Sequence, residues 1–473
     1  MDDSKHRLGA FLPLFATIAL GMFLDGLDST IVNIALPEIT ADLGIGTGTA
    51  SWIVTVYFLV MAGLILIFGK ICDSGGIRRI LLSGFAVFSA GSLLCGLTPT
   101  FELLLAFRAV QGAGAAMLAA SSVMLSVKHL PPKMTGFGLA LGLLGSSLGA
   151  AFGPAIGGVL TETFSWHFIF FINVPIGVVA TIIARRAVPA DEVFVRSSFD
   201  LRGSLLLFAS LIFGLYAVET IPSHGITAVS GLSLVLFMII FSAFVIYERR
   251  VENPVINLRL FRSLRFDGVV LVFIILNMCY MGVLYLLPFL LNIEMGLDTM
   301  GSSVYMLVPA VATLATCLLV GRLSDSIGNK PFVVLGCAFL VAAMVVFATT
   351  SSEVSAILLM AGLALAGLVW GVAGGPVGSR VIQNVPRGER GSGSSFLSFF
   401  IYFGSALGTA AFSGLFAMGS GTSGQSISEL SPGIFITGFQ FAMAVGAVLA
   451  FMSLVLSVAI KDQKPESASG EKE

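Results

Sequence analysis

Long apolar runs recur from one end of the chain to the other, separated by short polar segments. A helix rises ~1.5 Å per residue, so about 20 apolar residues cross ~30 Å of hydrocarbon with every backbone group satisfied internally. Fourteen runs of that kind are predicted, over residues 11–36, 50–69, 80–97, 102–127, 136–160, 167–184, 201–219, 226–247, 268–292, 302–321, 331–349, 354–379, 394–416 and 434–460. The expected fold class is therefore an all-α integral membrane protein.

The basic residues give an independent check on that count, because lysine and arginine collect in loops on the cytoplasmic side of a membrane. Of the 25 lysines and arginines, all but Arg108 fall at a terminus or on the same face of alternate loops. The loops of the other face carry Glu38, Asp42, Glu102, Glu162, Glu294, Asp298, Glu353 and Glu429. Both termini are then expected in the cytoplasm, which requires an even number of spans, and the protein is expected in the plasma membrane.

Composition agrees with this layout. The 473 residues are 56% hydrophobic and 11% charged, too little charge to coat about three soluble domains of ~150 residues. The net charge of −1 carries no nucleic-acid footprint. Cys72, Cys95, Cys279, Cys317 and Cys337 have no metal or redox spacing and read as small buried side chains. The first apolar run lacks a cleavage site, so it reads as a first span. Residues 418–433 read as a flexible loop and the last twelve as a polar tail too poor in apolar residues to fold.

Three internal echoes follow in order. GKICDSGGIRR at Gly69 is matched by GRLSDSIGNKP at Gly321, PPKMTG ending at Gly136 by PRGERG ending at Gly391, and GSSLGAAFG at Gly145 by GSALGTAAF at Gly404. Offsets of 252 to 259 argue for duplicated halves. The first echo moves from span two to span ten, eight helices where a plain duplication gives six, so two helices are inserted between the halves. The expected division is a six-helix unit at 1–190, an inserted pair with its flanking loops at 191–265, a second six-helix unit at 266–460 and a tail at 461–473. Parallel six-span repeats are an arrangement of secondary transporters, with the site between the halves near the midplane.

The motifs carry a resemblance. LDSTIVNIALP from Leu27, GKICDSGGIRR, LLLAFRAVQGAGAA, GSSLGAAFGPAIGG and WHFIFFINVPIG occur in order along most of the chain. Together they resemble the major facilitator superfamily, and within it the fourteen-span drug:proton antiporters of QacA/EmrB type. The resemblance implies two six-helix bundles, a gating loop at Gly69, Asp73, Gly76, Arg78 and Arg79 with its echo at Gly321, Arg322, Asp325 and Gly328, and an antiporter motif at Gly145, Gly149, Gly153, Pro154, Gly157 and Gly158. Ser74 and Ile77 depart from the loop pattern, which usually has arginine there.

Physically, Asp73 can pair with Arg78, Arg79 or the positive end of a neighbouring helix. The loop then reads either as a clasp that holds in one of two states or as a turn that sets topology. Gly145, Gly149, Gly153 and Gly157 line one face of the fifth span and admit another backbone, with Pro154 bending the helix. That face reads either as a leak-tight seam between the halves or as ordinary helix packing.

A charge near the bilayer centre costs about 2.5–3.5 kcal/mol, which makes Asp25, Asp28 and Arg108 functional candidates. Asp28 and Arg108 lie at a common depth, and Gln111 is one turn from Arg108. Asp25 and Asp28 face the same way and form a coupled carboxylate unit. Asp28 fills the signature position and is expected to carry the proton, with Asp25 and Arg108 in the same coupling group and Asp28, Arg108 and Gln111 lining the substrate cavity. The aligned position in the second half is Leu363, so the arginine is not a demand of the repeat; a static ion pair fixing spans one and four stays open. Glu162, Glu219 and Glu294 are expected to be solvated near helix ends, His167 and His224 to be interfacial, and Phe396, Phe399, Phe400 and Phe403 to be core or lipid-facing, with the lining of a pocket as the alternative.

The expected activity is export of hydrophobic, cationic small molecules against incoming protons by alternating access, without nucleotide, metal or other cofactor. One proton moving down ~100 mV releases about 2.3 kcal/mol, enough for a roughly fortyfold substrate gradient. The expected partners are the substrate, protons and the bilayer, with no nucleic acid, and the expected state is a monomer. Export of one specific metabolite and proton symport remain alternatives, as does a membrane receptor or lipid-handling protein on the same fold. No metalloprotease motif or nucleophile set suggests an enzyme.

Overall fold

A computed structural model describes residues 2–191, 200–252, 254–351, 355–383, 390–422 and 431–460. Fourteen of its helices are long and apolar enough to cross a membrane. They are α1 (Phe11–Leu43), α2 (Thr47–Asp73), α3 (Ile77–Gly96), α4 (Phe101–Lys128), α5 (Met134–Thr163), α6 (Phe168–Ala187), α7 (Leu201–Pro222), α8 (Ala228–Glu248), α9 (Leu264–Ile293), α10 (Thr299–Gly321), α11 (Lys330–Ala348), α12 (Ala356–Gln383), α13 (Phe396–Ser420) and α14 (Gly433–Ala459). Each coincides with one predicted run. The tail and most of the loop before α14 lie outside the described residues, as do the side chains of Arg322, Asp325 and His224.

The largest boundary difference is at α1, which continues seven residues past the predicted end at Leu36. Hydropathy registers only the part in hydrocarbon; the extension is held by tertiary contacts, with Ile39 buried and Asp42 accepting a hydrogen bond from Trp166 at 2.9 Å.

Helix pairing repeats with a shift of eight. The pairs α1–α5, α3–α4, α2–α4 and α1–α6 recur as α9–α13, α11–α12, α10–α12 and α9–α14. The two groups meet through α2–α13 and α5–α10, which exchange under the same shift, and through α1–α9. Such exchange is what a pseudo-twofold axis requires. Helices α7 and α8 pair with each other, and α7 also rests on α2 and α13, one helix from each group.

Glycine sets the closest approaches. A Cβ on Gly149 would stand 2.3 Å from Phe23 O of α1, and one on Gly408 would stand 2.3 Å from Met278 O of α9, so the echoed glycines make equivalent seams. Backbone cannot yield as a side-chain tip can. Gly149→Ala should therefore lower stability by about 1–3 kcal/mol, the usual range for overpacking. Thermal unfolding of the purified protein in detergent checks this, with Gly136→Ala, where a Cβ meets nothing within 4 Å, as the unaffected control.

Candidate functional site

Arg108 lies on the inner side of α4, 1% exposed, where a guanidinium needs its donors satisfied. Its Nη1 donates to Asp28 Oδ2 at 2.6 Å and to Gln111 Oε1 at 2.8 Å, and its Nε donates to Ile53 O of α2 at 3.0 Å. The guanidinium also stacks on Tyr57, 4.2 Å from the ring centroid. The other carboxylate oxygen, Asp28 Oδ1, accepts from Gln111 Nε2 at 2.7 Å and from Asn173 Nδ2 at 3.1 Å. Ser92 Oγ accepts from both amides and donates to Phe170 O at 2.8 Å. Five helices, α1, α2, α3, α4 and α6, thus converge on one buried ion pair.

Asp25 is one turn earlier on α1 and points elsewhere. It is 4% exposed, and its Oδ2 accepts a hydrogen bond from the Tyr402 hydroxyl of α13 at 3.0 Å. Its Oδ1 accepts none among the described residues. Tyr402 also stacks on Phe58 of α2, with ring centroids 6.4 Å apart. The two carboxylates have separate donors: Asp28 is held within α1–α6, whereas Asp25 reaches across to the other group.

Further bridges lie at the face opposite the lysines and arginines. Tyr285 of α9 donates to Thr47 O at the start of α2. A Cβ on Gly158 would stand 2.8 Å from Ser303 Cβ and 3.0 Å from Thr299 O of α10.

The glycine face of α5 requires a correction. Gly145, Gly149, Gly153 and Gly157 face Ala19, Phe23, Thr30 and Ile34 of α1, and Thr30 Oγ1 donates to Ala150 O at 3.1 Å. This seam lies inside the first group of helices, not between the halves, and Gly158, on the next face, makes the crossing contact. Pro154 is buried within α5.

At the loop after α2, Asp73 pairs with Lys128 at the end of α4, 3.1 Å away, rather than with Arg78 or Arg79. Asp191 takes the place expected of Asp73, accepting from Arg78 N at 2.6 Å and Arg79 N at 3.1 Å at the open N-terminus of α3. Arg78 donates its guanidinium to Arg185 O at 2.9 Å. The left-handed turn is made by Gly75, with φ +107°, beside the buried Gly69 and Gly76. In the echo, Gly328 has φ +95°, and a Cβ on Gly321 would meet nothing within 4 Å.

A family model for the Major Facilitator Superfamily matches residues 18–409. The chain belongs to the major facilitator superfamily. Within it, the chain is 31% identical over 460 residues to the riboflavin transporter RibZ of Clostridioides difficile, covering 96% of this chain and 98% of that protein. It is 30% identical to the multidrug resistance protein Stp of Mycobacterium tuberculosis over 84% of this chain and 74% of that one. It is 27% identical to the multidrug efflux pump LfrA of Mycolicibacterium smegmatis over 85% and 80%. The fold is similar to an inward-facing, unoccupied bacterial homologue of the human lysosomal transporter Spinster, with TM-score 0.67, 14% identity, and 94% and 95% coverage. The protein is a superfamily transporter, not an enzyme, with fourteen helices among the described residues long and apolar enough to cross a membrane.

Several site residues of this transporter were not singled out in the sequence. Asn173 sits in the WHFIFFINVPIG motif, which could have marked it; Ser92, Tyr57 and Tyr402 are ordinary in their runs. Trp370 begins a π-helical turn in α12 and meets Phe273 and Tyr280 of α9, each with centroids 6.0 Å away. Glu219 is 4% exposed and accepts from Ser51 of α2, so it is buried against α2 rather than solvated at a helix end. Phe399, Phe400 and Phe403 line a cavity against α7 and α8. Leu363, the counterpart of Arg108, is fully buried in the core, so the charged network has no equivalent at that position.

Proposed function

We propose that this protein is a proton-coupled exporter of hydrophobic, cationic small molecules, of the fourteen-span drug:proton antiporter type, working by alternating access of α1–α6 against α9–α14 with α7 and α8 as an inserted pair. The observation that carries the reading is Asp25: a buried carboxyl at the seam, held from the opposite group by Tyr402, with a bare oxygen. A proton added to Oδ1 breaks no existing hydrogen bond. Asp28 already accepts on both oxygens, so any proton there must displace a donor. Asp25, rather than Asp28, is therefore the carrier, and Asp28, Arg108 and Gln111, each at most 1% exposed, brace α1 and α4.

A cation and a proton then compete for the same negative charge, which makes their passages mutually exclusive and drives each across. Aromatic rings at Phe58 and Tyr402 suit a flat or quaternary cation beside the carboxylate. The bridges Tyr285–Thr47 and Gly158–Ser303 support reading this form as closed on the acidic-loop face and facing the basic side. With basic loops inward, both termini are cytoplasmic, the protein sits in the plasma membrane, and it acts as a monomer without a cofactor.

A second reading is transport of one flavin-like metabolite, favoured by the match along nearly all of RibZ. Inverted vesicles with an imposed pH gradient separate the two. A one-for-one exchange of a proton for a monovalent cation moves no net charge, so the pH gradient alone drives it, and across about one pH unit ethidium should accumulate up to about tenfold. Gradient-driven movement of riboflavin with no movement of ethidium would replace the first reading by the second.

A further inference from the structure

Away from the charged network, α7 and α8 lean on α13 around a cavity of about 840 Å³. Its wall is apolar, built from residues such as Leu211 and Leu215 of α7, Phe237 and Phe241 of α8, and Phe399 and Phe403 of α13. The hydroxyl of Ser210, also in the wall, is committed to Leu207 O at 2.7 Å. Small-molecule sites place a few polar groups to orient their ligand. This wall presents none among its described residues, so it suits hydrocarbon rather than a cation or a flavin.

Shape narrows the occupant. Lining positions run from Leu207 to Pro222 on α7 and from Phe399 to Leu415 on α13, so the cavity is about 22–24 Å long at ~1.5 Å per residue. Dividing its volume by that length gives a mean cross-section of roughly 35–38 Å². A hydrocarbon chain whose carbons touch their neighbours at ~4 Å takes up roughly 16–20 Å², so two chains side by side need roughly 32–40 Å² and match that section. The length exceeds the ~15 Å of one leaflet's hydrocarbon, so neither chain need fold back.

Charge selects the headgroup. Leu258 and Phe261 line one end of the cavity and flank the exposed Arg259. Arg202, Arg249, Arg250 and Arg265 are exposed at the same ends of α7, α8 and α9, where Glu252 is the exposed acid among the described residues. Asp200 and Glu248 are buried there and turned to backbone, accepting from Gly203 N at 2.9 Å and Ile256 N at 2.6 Å.

We propose that this cavity binds the two acyl chains of an anionic phospholipid, with its headgroup among these arginines. The lipid fills the space between the inserted pair and α13, and this assignment is independent of the coupling reaction above.

Native mass spectrometry of the full-length protein, delipidated and then given phosphatidylglycerol or phosphatidylcholine of identical chains, tests it. Wild type should retain phosphatidylglycerol at least fivefold over phosphatidylcholine. Ala411→Trp, which fills the cavity from α13, should abolish retention of both. Arg250→Ala with Arg259→Ala should remove the preference and leave chain binding, which decides the matter even if the tryptophan variant does not fold. Equal retention of the two lipids by wild type, or unchanged phosphatidylglycerol retention by a folded Ala411→Trp protein, overturns the proposal. So does displacement of the lipid by tetraphenylphosphonium, which would mark the cavity as a substrate site.

Discussion

Arg108→Ala should destabilise the purified protein by about 3–5 kcal/mol, because it strands the buried Asp28 carboxylate without its cation. Gln111 and Asn173 still donate to Oδ1, but Oδ2 loses the donor described for it, and Ile53 O and the Tyr57 face lose their partner. Thermal unfolding in detergent reads the loss, and efflux of ethidium from energised cells should fall to background. Removing both charges tells structure from coupling. Asp28→Asn with Arg108→Gln takes away the stranded charge and should recover most of the stability. If it also recovers pH-gradient-driven flux, the pair is a brace for α1 and α4. If stability returns and flux does not, Asp28 takes part in coupling.

Asp25→Asn should do the reverse, lowering pH-gradient-driven flux at least tenfold while leaving the melting temperature near that of wild type. The amide keeps an oxygen for the Tyr402 hydroxyl, so the crossing bond survives, but the group can no longer bind and release a proton. Exchange of labelled for unlabelled ethidium at equal pH should weaken in the same vesicles as well, since the amide removes the negative charge that cation and proton share. Tyr402→Phe removes only the donor and leaves a carboxyl that still binds and releases a proton, so gradient-driven flux should fall less than in Asp25→Asn. Full gradient-driven flux in Asp25→Asn would exclude Asp25 as carrier.

The two substitutions have opposite signatures because the two carboxylates, three residues apart, live in different surroundings. Asp28 has donors on both oxygens from three side chains of its own group of helices. Among the described residues Asp25 has one donor at hydrogen-bond distance, and it comes from the group that must move away if the halves rock. A contact of that kind senses conformation; a fully enclosed one holds its helices together.

The local terms that fix a membrane helix were legible in the chain by itself. Twenty apolar residues leave a segment no stable alternative in hydrocarbon, so fourteen helices follow from hydropathy, and the echoes at Gly69, Gly136 and Gly145 gave the eight-helix shift that recurs in the helix pairing. The intramembrane charges Asp25, Asp28 and Arg108, and Gln111 beside them, stood out because charge in lipid is costly wherever it points. What a face of a helix meets was not legible. The glycines of α5 announce close approach but not the partner, which is α1; Asp73 announces a cation but not Lys128; and Tyr402, 377 residues from Asp25, carries no mark of its role. Those pairings depend on how helices distant in sequence rotate and settle against one another, and only the tertiary structure decides that.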